Sequence, residues 1–137
     1  MWETKDFLSK NLEKKDKGDA SYVIGIEIFH ARSHRILGLS QNTYIKKVTE
    51  NFGMASCDPN AALIHKRDKF ILNQCTQTEF GRDRMRDYPY ASLVESLGYI
   101  QVCIRPDISF AVGMLGRYQS NPSIDHWKVV KKVLRYL

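Results

Sequence analysis

The chain has 137 residues, of which 43% are hydrophobic, and its 21 lysines and arginines against 15 aspartates and glutamates give a net charge of +6. This length and composition predict one globular domain, and the basic balance favours an anionic partner such as nucleic acid. Three widely separated cysteines argue against a disulfide framework and a paired-cysteine zinc site. The charged N-terminus and the absence of an apolar run of ~18 residues argue against a signal peptide and a membrane span. We therefore expect an intracellular chain, in the cytoplasm or nucleus, with no membrane partner.

The first forty residues predict a short helix followed by a β-hairpin. In "ETKDFLSKNLEKK", Phe7, Leu8 and Leu12 lie on one helical face. The runs "SYVIGIEIF" and "ILGLS", separated by the polar "HARSHR", have the β-branched and aromatic residues typical of paired strands. His30 and His34 have a spacing that could share a metal only on a helix, so their place in a hairpin turn predicts no zinc site.

The middle of the chain predicts a second helix and then a long loop. In "QNTYIKKVTENFGM", apolar residues such as Val48 and Phe52 share one helical face, and Gly53 is placed to close the helix. Residues from about 57 to 88 mix proline, polar residues and isolated apolar ones. We predict that this stretch is mostly loop, with room for one short strand or helical turn.

Helical periodicity returns at Tyr90 and continues through "YPYASLVESLGYIQVCI". Pro106 can occupy the first position of the next helix, and Asp107 suits the positive end of its dipole. Gly113 and Gly116 are three positions apart in that helix and predict a close helix–helix contact. The predicted buried positions of the two helices are Tyr90, Leu93, Val94, Leu97, Ile100, Ile104, Ile108, Ala111, Val112 and Leu115.

The segment "SNPSIDHWKVVKKVLRYL" predicts a last helix. Asn121 or Ser123 can cap it, Pro122 can open it, and His126 in its first turn is interpreted as a capping or packing residue. The chain then stops within the helix without a glycine or asparagine, which predicts a fragment. The predicted buried stripe consists of Trp127, Val130, Leu134 and Leu137, and another face consists of Lys128, Lys131, Lys132 and Arg135.

The order and spacing of these motifs resemble one family. A Pro-Tyr-Ala-Ser opening (89–92), an Arg-Pro-Asp-Ile turn (105–108) and a His-Trp to Leu-Arg-Tyr-Leu ending (126–137) resemble the end of the reverse transcriptase region in copia-type LTR retrotransposon Pol polyproteins. "SYVIGIEIF", "ILGLSQNTYIKKVTENFGM" and "FLSKNLEKKDKGDA" resemble the segments just upstream. The resemblance therefore covers nearly the whole chain.

The resemblance implies a piece of an RNA-directed DNA polymerase, within a polyprotein that also has protease, integrase and RNase H parts. The full-length family enzyme uses Mg²⁺, and its metal-binding aspartates, two of them adjacent, precede the segment that corresponds to residues 1–17. This sequence contains no Asp-Asp pair. Two-metal phosphoryl transfer needs clustered carboxylates, and Asp107 and Asp125 begin separate predicted helices. We therefore expect no catalysis, no metal site and no cofactor in this chain.

The resemblance also implies an α+β fold in two parts of an incomplete domain. Residues 1–40 correspond to the end of the palm, and residues 41–137 to a mainly helical thumb and connection region. Val23, Ile24 and Gly25 are candidates for a primer-supporting hairpin, because glycine lets a backbone approach nucleic acid closely. The alternative for Gly25 is a strand glycine at a β-bulge. Without the earlier palm strands, the hairpin should have exposed edges and an uncovered face.

The thumb assignment implies weak, non-specific binding of an RNA–DNA or DNA duplex through phosphate contacts, with the remainder of the Pol polyprotein as the other partner. For any single lysine, solvation is the ordinary explanation. Trp127 and Tyr136 are predicted to pack at the core and its rim. For Arg105 we favour an ion pair with Asp107 over a phosphate contact. The candidate nucleic-acid-binding residues are Lys128, Lys131, Lys132, Arg135 and Arg105.

Three positions depart from the family pattern and suggest a decayed genomic copy. Glu95 replaces a glycine, Gly98 replaces a larger apolar residue, and Lys17 replaces an apolar residue. If the sites are buried, an unpaired charge costs several kcal/mol and an interior glycine roughly 1 kcal/mol relative to alanine.

Two other functions stay open. One is a retrotransposon remnant reused as an effector-like interaction protein without catalysis, although the missing signal peptide and the absence of an Arg-x-Leu-Arg motif argue against secretion. The other is an unrelated enzyme. It is the least favoured, because the sequence has no clustered carboxylates, nucleophile–base pair or phosphate-binding loop.

Overall fold

A computed structural model describes residues 2–13, 20–59, 75 and 78–137, and this part of the chain contains six α-helices and a three-stranded antiparallel sheet. The mixture agrees with the predicted α+β class. Two 3₁₀ turns, Arg32–His34 and Pro106–Ile108, join neighbouring elements. The elements are α1 (Trp2–Asn11), β1 (Tyr22–Val23), β2 (Ile26–Ala31), β3 (Ile36–Ser40), α2 (Asn42–Asn51), α3 (Glu79–Arg86), α4 (Tyr90–Cys103), α5 (Ser109–Gly116) and α6 (Ile124–Tyr136).

The predicted hairpin is a three-stranded meander, which corrects the sequence prediction. Tyr22 pairs with Glu27 and Val23 with Ile26, so "SYVIGIEIF" is two strands joined by a two-residue turn. The turn residues Ile24 and Gly25 have φ values of +49° and +76°. Positive φ at both positions is what a type I′ turn requires, and its twist matches that of the strands. Gly25 is therefore a turn residue and not a strand glycine at a bulge.

Both faces of the sheet have exposed apolar side chains. β2 and β3 pair in register from Glu27 with Ser40 to Ala31 with Ile36. Because side chains alternate along a strand, each face receives one apolar set. The predicted uncovered face is confirmed for the described residues, and Phe7 of α1 and Leu12, which follows α1, are exposed as well. The exposed sheet residues are Val23, Leu37 and Leu39 on one face and Tyr22, Phe29 and Ile36 on the other.

Gly53 closes helix α2 just beyond its last turn, as predicted. The Gly53 N–H donates to the Glu50 carbonyl at 3.0 Å, and the Met54 N–H donates to the Thr49 carbonyl at 2.7 Å. With Gly53 at φ +65° and Met54 buried, this is a Schellman motif. The local sequence alone determined this boundary.

Helix α3 corrects the predicted loop at 57–88. The Gly81 N–H donates to the Thr78 hydroxyl at 3.2 Å, which caps the helix. Met85 is the buried residue of α3, so the apolar pattern was too sparse to indicate a helix. The capping threonine was the available signal. Residues 60–74 of the predicted loop lie outside the described residues.

Helices α4, α5 and α6 form the core. Nearly all of the buried positions predicted for α4 and α5 are buried, and Ile104 is half-buried. The Tyr90 hydroxyl donates to the Leu115 carbonyl at 2.8 Å, which satisfies a buried polar group and joins α4 to α5. Burial raises the pKa of that hydroxyl, so it remains the donor.

The glycines of α5 do not mark a helix contact, and that prediction was wrong. A Cβ added at Gly113 or Gly116 would meet no described atom within 4 Å.

The departures from the family pattern at Glu95 and Gly98 do not disturb the packing of the described residues. Glu95 is exposed, so the cost of a buried charge does not arise, and a Cβ at Gly98 would also meet no described atom within 4 Å. Lys17 lies outside the described residues.

Helix α6 is capped by Ser123, one of the two predicted residues. Pro122 precedes the cap, which corrects its predicted place inside the helix. Trp127, Val130 and Leu134 of the predicted stripe are buried, and Leu137 packs against the core at its edge. The face of α6 that packs against the core is therefore fixed.

Candidate nucleic-acid interface

Four cations form a line on α6, here called the α6 cationic stripe: Lys128, Lys131, Lys132 and Arg135. The other three follow Lys128 by three, four and seven positions, which places the four on one side of neighbouring helical turns. Lys128 and Arg135 are exposed, and Lys131 and Lys132 are half-buried. The structure therefore brings the four predicted residues together, at the side of a helix whose other face is in the core.

Contacts orient several of these cations. Lys128 Nζ lies 3.1 Å from Asp125 Oδ1 in an exposed ion pair, and such pairs contribute little to stability. Lys131 Nζ lies 5.8 Å from the centre of the Trp127 ring, within the range of a cation–π contact. Arg135 Nε donates to the Asp58 carbonyl at 2.8 Å. Neither of the last two contacts is with an anion.

Arg105 is in a different setting from the stripe. Its Nε and Nη2 donate to the two Asp107 carboxylate oxygens at 2.9 and 2.8 Å, so the favoured ion pair is present and bidentate. The hydrogen bond from Arg105 lowers the pKa of Asp107, and the same bond raises the pKa of Arg105. The guanidinium carbon also lies 5.2 Å from the centre of the Tyr136 ring. Arg105 therefore connects the turn after α4 to the end of α6.

His126 is a capping residue, as the sequence predicted. The Ser123 N–H donates to His126 Nδ1 at 3.1 Å, while the Ser123 hydroxyl accepts from the His126 N–H, which completes a capping box. The imidazole stacks on Tyr118, with ring centres 4.1 Å apart. Burial lowers the pKa of His126, and the adjacent Asp125 carboxylate opposes this in part. Accepting the Ser123 N–H requires Nδ1 to have no proton.

The turn of Ile24 and Gly25 contacts the helices. The Tyr99 hydroxyl donates to the Ile24 carbonyl, and the Tyr44 and Tyr99 rings meet edge to face with centres 5.1 Å apart. A Cβ on Gly25 would lie 3.7 Å from Tyr44, an ordinary contact, so the positive φ and not a lack of space favours glycine. Sequence reasoning missed Tyr44 and Tyr99 at this place, because their partners are distant in the chain.

No metal centre is formed by the residues that the structure describes: no three histidine, cysteine, aspartate or glutamate side chains come together. His30 is in β2 and His34 is in the following 3₁₀ turn. Asp107 and Asp125 each pair with a cation. Within the same described ranges, no helix has both the length and the apolar character to cross a membrane.

Comparison with known proteins identifies relatives among transposon polyproteins. No protein-family model and no solved structure matches the chain. It is 41% identical over 130 residues to the retrovirus-related Pol polyprotein from transposon TNT 1-94 of Nicotiana tabacum, covering 95% of this chain and 10% of that protein. It is 34% identical over 134 residues to the polyprotein from transposon RE2 of Arabidopsis thaliana, covering 98% and 9%.

A third relative is shorter. The secreted RxLR effector protein 161 of Plasmopara viticola is 45% identical over 53 residues, which cover 39% of this chain and 37% of that protein. By contrast, the matches to the Pol polyproteins include nearly all of this chain, which spans about one tenth of their length. The chain therefore belongs to the family of retrovirus-related transposon Pol polyproteins, as its motifs predicted.

Proposed function

We propose that this chain corresponds to the last part of a reverse transcriptase region, from the end of the palm through the thumb and connection, and that it binds a template–primer duplex without reading its sequence. The observation that supports this best is the α6 cationic stripe, on a helix whose opposite face is buried. Phosphate contacts of this kind give orientation and affinity but no base specificity.

The length of the stripe suits a duplex backbone. Lys128 and Arg135 are seven positions apart, which is about 10 Å along a helix. One strand of a duplex has a charge roughly every 3.4 Å along the axis, so the stripe can contact more than one phosphate. Because the core fixes the helix, binding does not have to order its backbone, which lowers the entropic cost of association.

In this proposal the chain supplies binding and no polymerase chemistry of its own. The sequence has no adjacent aspartates, and Asp107 and Asp125 lie in separate ion pairs at the starts of different helical segments. Mg²⁺ would be bound by another part of the polyprotein. Val23, Ile24 and Gly25 would support the primer terminus, and the exposed sheet would pack against the remainder of the Pol polyprotein.

The test is binding of the folded chain to a blunt RNA–DNA hybrid across a salt series. We expect affinity to fall steeply with salt, and Lys131→Glu combined with Lys132→Glu to flatten the log–log slope by about two, because each phosphate contact contributes about one. Circular dichroism checks folding, since Lys131 also contacts Trp127.

The matched control is Lys10→Glu combined with Lys46→Glu, which makes the same change in net charge at exposed positions of α1 and α2. The control should bind nearly as the unchanged chain does. Equal losses in the two double variants would show that net charge alone drives binding. A folded chain that binds no hybrid would contradict the proposal.

A second candidate is a reused remnant that acts as an effector-like interaction protein. The partial similarity to a secreted effector and the exposed apolar sheet support this alternative. The same experiment separates the two, because this candidate needs no affinity for a duplex.

A further inference from the structure

A groove of about 350 Å³ lies where the turn after β1 meets α2 and α4. It is formed by parts of the chain that are far apart in sequence, and it shares no residue with the α6 cationic stripe. Its volume is at the lower end of the range for small-molecule sites in proteins. The lining residues that matter here are Tyr22, Ile24, Gly25, Tyr44, Lys47 and Tyr99.

Contacts between distant parts of the chain join the turn, α2 and α4 at this groove. The Tyr99 hydroxyl donates to the Ile24 carbonyl across 75 positions of sequence, which joins the turn to α4. The Tyr44 and Tyr99 rings pack edge to face, which joins α2 to α4. The two-residue turn itself is defined by positive φ at both positions. A ligand would therefore enter a site that needs little rearrangement.

The chemistry of the groove suits one class of ligand. Tyr22 is 54% exposed and offers an aromatic ring, and Lys47 is an exposed cation at the same groove. The Glu27 carboxylate accepts a hydrogen bond from the Thr43 hydroxyl, and Thr43 is one helical turn before Lys47 in α2. Because the carboxylate repels an anion and Lys47 attracts one, the anionic part of a ligand belongs at the Lys47 end. Aromatic rings beside a cation are the recurring means of binding single-stranded nucleic acid.

We infer that this groove binds an unpaired nucleotide of a single strand, with its base on Tyr22 and its phosphate at Lys47. Because the groove includes Ile24 and Gly25, which are proposed above to support the primer terminus, the inference rests on that assignment and deepens it. It assigns to this turn a base that is not paired, whereas the α6 cationic stripe is proposed to bind a duplex. The chain would then have two nucleic-acid sites, of which the α6 cationic stripe prefers a duplex and the groove prefers a single strand.

The test uses fluorescence anisotropy with a labelled oligothymidylate of twelve nucleotides and the whole chain. Lys47→Gln should weaken binding and flatten the log–log salt slope by about 0.7, the contribution of one phosphate on a single strand. Lys46→Gln is the matched control, because Lys46 is the neighbouring exposed lysine on α2 and does not line the groove. It should leave the slope unchanged.

The base contact has its own pair of variants. Tyr22→Ala should weaken oligothymidylate binding by at least fivefold, as expected for loss of one stacked base, whereas Tyr22→Phe keeps the ring and should bind as the unchanged chain does. Circular dichroism confirms that β1 still folds. Equal losses from Tyr22→Ala and Tyr22→Phe would overturn the stacking role.

The two proposals can fail separately. Lys131→Glu with Lys132→Glu should reduce hybrid binding and spare oligothymidylate binding, and Lys47→Gln should do the reverse. If the folded chain binds the hybrid but no oligothymidylate, the groove is not a nucleotide site. The same conclusion follows if Lys46→Gln and Lys47→Gln weaken oligothymidylate binding equally.

Discussion

The bundle of α4, α5 and α6 and the three-stranded sheet are both rich in apolar residues, but they differ in what those residues contact. Leu97 in α4 is 0% exposed, whereas Leu37 in β3 is 64% exposed. The helices meet along matching faces, and the sheet lacks a second layer among the described residues. Apolar content by itself therefore does not predict burial, because burial needs an opposing surface.

The sharpest test of this contrast is to truncate one leucine in each region. Leu97→Ala should lower the free energy of unfolding by about 2 to 5 kcal/mol, because it leaves a cavity in a packed core. Leu37→Ala should change it by less than about 0.5 kcal/mol, as at other exposed positions. Urea denaturation of both variants measures the difference, and similar losses would mean that the sheet is covered in solution.

A smaller effect is expected at the start of α6, where the bundle depends on a cap. Ser123→Ala removes the acceptor for the His126 N–H and should cost about 1 kcal/mol. Ser92→Ala, at an exposed position of α4, is the control and should cost much less. Chemical denaturation compares the two, and an unchanged stability for Ser123→Ala would show that the cap is not needed.

The glycines allow a change in the opposite direction. Gly98→Ala should stabilise α4 by roughly 0.5 to 1 kcal/mol, since the added Cβ meets no described atom within 4 Å and alanine favours a helix. Gly53→Ala should destabilise α2, because φ is +65° there. Thermal unfolding should separate the two variants by sign. A loss of stability in Gly98→Ala would place a partner against that side of α4.

The smallest effect should come from pH, again through the cap of α6. Burial lowers the pKa of His126 in the folded chain, so the unfolded chain binds a proton first. The contribution of His126 to stability is thus complete above its ordinary pKa of about 6.5 and is lost as pH falls below it. Tyr90 and Tyr118 face the ring, and Asp125 is adjacent.

Unfolding of the chain and of His126→Gln, measured from pH 7.5 to 5, checks this expectation. The variant should lose part of the pH dependence, while the exposed His30→Gln should retain all of it. If His126→Gln has the same pH profile as the unchanged chain, other groups account for the dependence.

Local signals identified much of the fold. The periodic runs predicted the faces of α2, α4, α5 and α6. The residues at helix ends indicated Gly53 for the end of α2 and either Asn121 or Ser123 as the cap of α6, and the structure has Ser123. Helix α3 was missed because a single buried apolar residue, Met85, gives no periodic pattern. The turn at Ile24 and Gly25 was missed because isoleucine is a poor candidate for positive φ.

The sequence by itself determined the family, the helical faces and the presence of a cationic line on α6, because each depends on residues that are close in the chain. Only the tertiary structure decided which distant groups meet. The contact between Tyr99 and Ile24 spans 75 positions, and the one between Arg135 and Asp58 spans 77. Such contacts depend on how whole elements pack, and no local pattern specifies that packing.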